Sequence, residues 1–197
     1  IHVSEILAVG AASLISSLPL PILPLQILYL NVITDVFPAL ALGVGEGERE
    51  VMDNPPREPD EPILSGKHWW SIGGFGALMA IPVMAALIIA LNLAGMPEER
   101  AVTVSFLTLG FAQLLHVFNM RRSGSNILFN EITRNRWIWG AIVLCVGLIL
   151  AAVYIPFLAR VLHLTAPGVE GWLIVGGLNL ALLVVGQIIT QFRGLSE

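Results

Sequence analysis

Residues 22–42 read Ile22-Leu23-Pro24-Leu25-Gln26-Ile27-Leu28-Tyr29-Leu30, then Asn31-Val32-Ile33-Thr34-Asp35, then Val36-Phe37-Pro38-Ala39-Leu40-Ala41-Leu42. The flanks are almost wholly apolar, whereas the centre holds an amide, a hydroxyl and a carboxylate. On a helix, Asn31, Thr34 and Asp35 stand at i, i+3 and i+4 and therefore share one face. A carboxylate in hydrocarbon costs about 2.5 to 3.5 kcal/mol on insertion scales unless it faces protein, water or an ion. The pattern predicts an intramembrane cation site, and Pro38, which lacks an N–H, leaves the Thr34 carbonyl as a further ligand.

A second acid, Glu5, is expected at the same depth as Asp35. Glu5 lies 14 residues before Pro19 and Asp35 lies 14 residues after Pro21, so two helices joined by this short turn bring them level. We expect these helices to be antiparallel neighbours. Two carboxylates with neutral oxygens suit a hard cation such as Ca²⁺. Two alternatives stay open: the acids share a proton, or they only hold the helices together.

Other polar residues in apolar runs are weaker candidates. Gln113 and His116 stand at i and i+3, and polar contacts between helices are the usual role of such residues. Gln113 is kept as a candidate cation ligand, and His116 is the weaker of the two. Asn179 and Gln187 are expected to serve packing or to lie at the lipid interface. Residues 73–76, Gly73-Gly74-Phe75-Gly76, predict close helix packing, because neither a strand nor a following Lys-Ser/Thr accompanies them.

The composition excludes an ordinary soluble domain. The 197 residues are 56% hydrophobic and 12% charged, and the mean hydropathy is +0.82. Lys and Arg total 10 and are spread over several loops, so no nucleic-acid partner is expected. The single Cys145 excludes an intrachain disulfide and a thiolate cluster. The chain opens on Ile1 without an initiator Met or a signal peptide, and we expect it to be a piece of a longer protein.

The hydropathy pattern predicts an all-α, polytopic helical membrane bundle that forms one domain over residues 1–197. A spanning helix needs about 20 mostly apolar residues. We expect six transmembrane helices, the first of them truncated, and a cytoplasmic loop at 45–68. The predicted spans are 1–18, 22–44, 70–94, 102–120, 137–159 and 172–192.

The distribution of basic residues predicts the orientation. Eight Lys and Arg residues fall on the side of the long loop and the tail, and only Arg100 and Arg160 fall on the other. This positive-inside asymmetry places the C-terminus in the cytoplasm. The five tryptophans fall at predicted span ends, as interfacial anchors do; they are Trp69, Trp70, Trp137, Trp139 and Trp172. We expect a multi-pass protein of a bacterial plasma membrane, with the lipid bilayer as its partner.

Two strings carry a family resemblance. Residues 24–35 with the following Pro38-Ala39-Leu40-Ala41-Leu42-Gly43, and Val51-Met52-Asp53-Asn54-Pro55-Pro56-Arg57, closely resemble type II P-type cation-transporting ATPases, especially reticulum calcium pumps and their bacterial relatives. In that family the first string lies in the sixth membrane helix and the second in the loop after it. The resemblance covers essentially the whole chain, from the second half of the fifth helix to the tenth.

The resemblance implies specific roles. Asn31, Thr34 and Asp35 correspond to cation ligands, and Glu5 matches the fifth-helix glutamate. Gln113 falls in the eighth helix, where reticulum calcium pumps have a glutamate. The implied cargo is Ca²⁺, with Na⁺, K⁺, Mn²⁺ and H⁺ as alternatives.

Three departures from the calcium-pump pattern narrow that expectation. His2 stands in place of a ligand Asn, and Gln113 removes an acid, so one Ca²⁺ per cycle is expected instead of two. Val36-Phe37 replaces the usual Gly-Leu and is closer to the pattern of sodium, potassium and proton pumps. A β-branched Val also makes unwinding after Asp35 less natural than Gly would.

The family's phosphorylated Asp-Lys-Thr-Gly-Thr string and its nucleotide-binding and actuator domains are not in these 197 residues. ATP and Mg²⁺ would therefore act only through the other domains of a parent pump, which, with its remaining helices, is the expected partner. By itself the chain is not expected to be a catalyst. The alternative is a stand-alone membrane channel, secondary carrier or non-catalytic partner.

Overall fold

The structure is a computed structural model that describes residues 2–15, 18–44, 66–120 and 131–193. The loop string at 51–57 and four of the ten basic residues used for the orientation lie outside these residues. The described residues contain no strand, which confirms the prediction of an all-α helical bundle. The helices are α1 His2–Ser13, α2 Pro24–Gly43, α3 Gly66–Ile88, α4 Glu98–His116, α5 Glu131–Arg134, α6 Arg136–Tyr154, α7 Pro156–Leu162 and α8 Gly168–Arg193.

Two helices end in short segments of different geometry. A π-helical turn, Ile89–Leu93, extends α3, and a 3₁₀ turn, Val117–Met120, extends α4. Within the described residues, four helical segments are long and apolar enough to cross a bilayer: Pro24–Gly43, Trp69–Leu93, Arg136–Tyr154 and Gly168–Ile189. The described part of α1 is too short for that standard, and α4 does not reach it. The number of six spans therefore stays a prediction.

The centre of the bundle is α4, which has 13 of its 19 residues buried. It packs against α3 and α8 and also meets α2 and α6. A helix enclosed by protein on most sides does not need the continuous apolar surface of a lipid-facing one. This explains why the polar Thr103, Ser105 and Thr108 are tolerated on α4, where each hydroxyl donates to a carbonyl of its own helix.

The predicted span 137–159 is divided in the structure. Helix α6 ends at Tyr154, and α7 begins at Pro156 after an extended Ile155. Proline has no N–H and forces the preceding residue out of the helical region, so an apolar run that contains it does not stay one helix here. By contrast, α2 continues through Pro38 and α3 through Pro82. The unbroken α2 agrees with the expectation drawn from Val36.

The neighbours of α1 differ from the expectation. It packs chiefly on α3, and its contact with α2 is made through polar side chains. The reason lies in Gly76: a Cβ at that position would come within 2.5 Å of Val3 Cγ1. The missing side chain lets α1 and α3 approach closely at Gly76. A Cβ at Gly73 or Gly74 would meet nothing within 4 Å, so the close packing predicted for residues 73–76 is found at Gly76 and not at the other two glycines.

Candidate cation site

The five predicted ligands come from three helices of the bundle. Helix α1 supplies Glu5, α2 supplies Asn31, Thr34 and Asp35, and α4 supplies Gln113. Glu5, Thr34 and Gln113 are buried, and Asn31 and Asp35 are partly exposed. We call these five residues and His2 the polar cluster. The cluster supplies carboxylate, amide and hydroxyl oxygens in one place.

Gln113 connects the two sides of the cluster. Its Nε2 donates to Glu5 Oε1 at 2.8 Å, and its Oε1 accepts from Thr34 Oγ1 at 2.9 Å. The Thr34 hydroxyl is also 2.9 Å from the Leu30 carbonyl, and its single proton serves one acceptor at a time. The amide thus links the α1 carboxylate to the α2 hydroxyl.

Close packing around Gly110 allows Gln113 to reach the cluster. A Cβ at Gly110 would lie 3.0 Å from Leu30 Cδ2 and 3.1 Å from Ile149 Cδ1. Helix α4 is therefore in close contact with α2 and α6 one turn before Gln113. A side chain at position 110 would push these helices apart and lengthen the contact between Gln113 and Thr34.

The Glu5 carboxylate accepts hydrogen bonds from two amides. Besides Gln113, the Asn31 Nδ2 donates to Glu5 Oε2 at 3.3 Å. Two amide donors partly replace the water that a buried carboxylate loses. Both contacts use N–H groups, so a cation that bound Glu5 would have to take the place of these donors or share the carboxylate with them.

His2 lies between the two carboxylates. Its Nδ1 is 3.6 Å from Glu5 Oε2, and its Nε2 is 3.3 Å from Asp35 Oδ2. The pairing is ionic only if the imidazole is protonated. With 61% of its side chain exposed, His2 sits at the open edge of the cluster. The sequence resemblance marked His2 as a departure from the calcium-pump pattern but did not predict this bridge to Asp35.

Two oxygens on α2 have no hydrogen-bond partner. Asn31 Oδ1 and Asp35 Oδ1 are both shielded from solvent and unpaired. An unsatisfied buried acceptor costs about 1 to 3 kcal/mol. These atoms stand one helical turn apart on the face that meets α1. Amide and carboxylate oxygens are the ligands that Ca²⁺ takes in proteins.

Among the described residues, no group of three or more His, Cys, Asp or Glu side chains is arranged to hold a metal ion. A cation at the polar cluster would therefore rely on amide, hydroxyl and main-chain oxygens beside the two carboxylates. The Thr34 carbonyl is one such oxygen, because Pro38 supplies no N–H to it. This donor set suits a hard cation and not a thiophilic one.

The weaker candidates lie elsewhere. The His116 ring faces Phe75 at a centroid distance of 5.2 Å and lines a small apolar cavity between α3, α4 and α8. Asn179 donates to the Val175 carbonyl of its own helix. Sequence reasoning missed Tyr29 and Cys145, which hydrogen-bond α2 to α6. Their acceptors are main-chain carbonyls, which leave no signal in the sequence.

These features define an integral membrane protein whose helices enclose a polar cluster between α1, α2 and α4. A family model described as cation transporting ATPase, C-terminus, matches residues 19–192. The chain belongs to this family and forms part of the membrane region of a P-type cation pump. This confirms the resemblance found in the sequence.

Individual relatives agree with the family match. A calcium-transporting ATPase of Bacillus subtilis (strain 168) is 34% identical over 192 residues, which cover 96% of this chain and 21% of the relative. A calcium-transporting ATPase of Listeria monocytogenes is 31% identical over 170 residues, covering 86% and 19%. A plasma membrane-type calcium-transporting ATPase of Arabidopsis thaliana is 26% identical over 198 residues, covering 93% and 18%. The chain thus spans about a fifth of the length of the curated relatives it matches.

Proposed function

We propose that this chain supplies the ligands of one intramembrane Ca²⁺ site in an ATP-driven pump. The observation that carries the proposal is the pair of unpaired oxygens, Asn31 Oδ1 and Asp35 Oδ1, on the helix face that meets the Glu5 carboxylate. Their burial without a partner is unfavourable unless a ligand satisfies them. Thr34 and Gln113 complete the proposed ligand set.

Charge balance favours a single divalent ion. The polar cluster contains two carboxylates, Glu5 and Asp35, whose charges one Ca²⁺ neutralises. Gln113 adds an oxygen without a charge, so a second divalent ion would leave net positive charge in a medium of low dielectric constant. The names of the relatives, which are calcium-transporting ATPases, support Ca²⁺ as the cargo.

The proposed cycle depends on domains beyond these residues. Phosphorylation by ATP in another part of the same pump would rearrange the helices. The polar cluster would load Ca²⁺ from the cytoplasm before phosphorylation and, once the helices rearrange, release it on the far side of a bacterial plasma membrane. The positive-inside asymmetry of Lys and Arg supports this orientation, with the C-terminus in the cytoplasm.

The test is Asp35→Asn in the full-length pump. The variant keeps the side-chain shape but removes one of two charges, so we expect Ca²⁺-dependent phosphorylation by ATP to need about 100-fold more Ca²⁺ or to disappear. Assays with Mn²⁺, Na⁺ and K⁺ in turn would identify the preferred ion. Glu170→Gln, at the exposed start of α8, is the matched control. Phosphorylation of Asp35→Asn at the wild-type Ca²⁺ concentration would refute the proposal.

A further inference from the structure

A row of hydrogen bonds joins α2 to α6. Tyr29 Oη donates to the Leu148 carbonyl at 2.8 Å, Cys145 Sγ donates to the Ile33 carbonyl at 3.3 Å, and Asn135 Nδ2 donates to the Ala41 carbonyl at 3.0 Å. Each bond pairs a side chain of one helix with the main chain of the other. We call these three bonds the α2–α6 seam.

The seam has the register of two antiparallel helices. As the position on α2 advances from 29 to 33 to 41, the partner on α6 moves back from 148 to 145 to 135. Asn135 also accepts from Trp137 N at 2.9 Å, so its side chain begins α6 while it holds the end of α2. The bonds thus fix the position of α2 along its length.

The seam lies behind the candidate cation site. At 3.6 residues per turn, Tyr29 and Ile33 stand on the side of α2 away from Asn31 and Asp35. Ile33 nevertheless belongs to the same stretch of helix as the proposed ligands, because it lies two residues after Asn31 and two residues before Asp35. A shift of the Ile33 main chain therefore shifts the proposed ligands with it.

The bond from Cys145 falls where α2 is weakest. Pro38 deprives the Thr34 carbonyl of its donor, so the hydrogen-bond ladder of α2 already lacks one bond next to Ile33. The Cys145 side chain is fully buried and supplies an external donor to the adjacent carbonyl. Tyr29 is anchored in turn by its ring, which packs 6.5 Å from Phe106 between centroids.

We propose that Tyr29 and Cys145 are positioning residues for the cation site. By binding α2 to α6, they hold Asn31, Thr34 and Asp35 in register with Glu5 and Gln113. This inference rests on the proposed function, since it concerns the affinity of the same site. The seam residues bind no ion, so their loss weakens cation affinity without abolishing it.

The test measures the Ca²⁺ dependence of phosphorylation in full-length Tyr29→Phe and Cys145→Ala variants. Each variant removes one donor and keeps the rest of the fold. We expect the half-saturating Ca²⁺ concentration to rise about 2- to 10-fold in each, with an unchanged maximum level of phosphorylation. Cys145→Ser keeps a donor, and its affinity should lie closer to wild type than that of Cys145→Ala.

Tyr154→Phe is the matched control, because the chain has two tyrosines and the Tyr154 hydroxyl accepts from Trp172 Nε1 outside the seam. It should leave the Ca²⁺ dependence unchanged. Wild-type affinity in both seam variants would overturn the inference. The inference would also be overturned if the maximum level of phosphorylation fell in proportion to the amount of folded protein while the Ca²⁺ affinity stayed unchanged. That result would show that the two residues have a structural role alone. The proposed function would fail separately, by Ca²⁺-dependent phosphorylation that survives Asp35→Asn.

Discussion

The polar groups on the two sides of α2 differ in whether they are hydrogen-bonded. On the side facing α6, Tyr29 and the carbonyls of Ile33 and Ala41 take part in hydrogen bonds that cross between the helices. On the side facing α1, Asn31 Oδ1 and Asp35 Oδ1 are buried without a partner. A paired group contributes to holding two helices together, whereas an unpaired buried acceptor is a cost that ligand binding can recover.

This difference assigns separate roles to the two sides. The α6 side can fix α2 in place because its bonds are complete without any ligand. On the α1 side, helix α1 itself has few main-chain contacts with α2 and is joined to it by side chains. Helix α1 is therefore the partner that can move relative to α2 at low cost. Substitutions on the two sides should differ in size and in kind.

The largest effect is expected at Glu5. In Glu5→Gln, the carboxylate that accepts from Gln113 and Asn31 is lost, and the new NH₂ group faces one of these amide donors. We expect the Ca²⁺ concentration for half-maximal phosphorylation to rise about 100-fold or more. Glu170→Gln again serves as the control. An effect no larger than that of Tyr29→Phe would contradict the division between the two sides.

The next effect concerns the packing that positions α1. A methyl group in Gly76→Ala would meet Val3 Cγ1 at 2.5 Å, and overpacking of this kind costs about 1 to 3 kcal/mol. We expect a lower midpoint of thermal unfolding in detergent and a weaker Ca²⁺ affinity, because α1 carries Glu5. Gly73→Ala is the control, since a Cβ there meets nothing within 4 Å. Equal behaviour of the two variants would show that this contact does not position α1.

A smaller effect is expected from the hydroxyl of Thr34. Thr34→Val removes the donor to Gln113 and should weaken Ca²⁺ binding about 5-fold, which corresponds to about 1 kcal/mol. Thr108→Val is a matched control on α4, where the hydroxyl donates at 2.7 Å to the Val104 carbonyl of its own helix. Ion-dependence curves of both variants measure the difference. A shift of the same size in Thr108→Val would mean that any buried hydroxyl has this effect.

Sequence patterns predicted the helices and the polar face of α2 because both follow from local periodicity. Asn31, Thr34 and Asp35 share a face wherever residues 24–43 are helical. The prediction of a single span over 137–159 was wrong at Ile155, although Pro156 within this apolar run is a residue that commonly ends a helix.

Contacts between helices were less accessible to sequence reasoning. The preference of α1 for α3 depends on Gly76 meeting Val3, and the seam depends on main-chain acceptors that any residue type provides. The short turn between α1 and α2 suggested that the two helices would pack as neighbours. Connection length, however, does not determine which helix offers the closer approach. The hydrogen bonds within a side-chain cluster that spans three helices depend on how those helices pack, which local periodicity does not specify.

The smallest effect is expected at His2, and it has the opposite sign. His2 is largely exposed at the edge of the cluster, where its imidazole lies between Glu5 and Asp35. An imidazole nitrogen is a poor ligand for Ca²⁺ and a better one for transition metals, whereas an amide oxygen suits Ca²⁺. His2→Asn should therefore tighten Ca²⁺ binding about 2- to 3-fold, because the change is worth less than one hydrogen bond at an exposed position. The affinity for Mn²⁺ should not rise in parallel. Paired Ca²⁺ and Mn²⁺ titrations of phosphorylation measure the ratio. A weaker Ca²⁺ affinity in His2→Asn would show that the imidazole stabilises the loaded site, and the open edge of the cluster would then belong with the residues that hold α1 to α2.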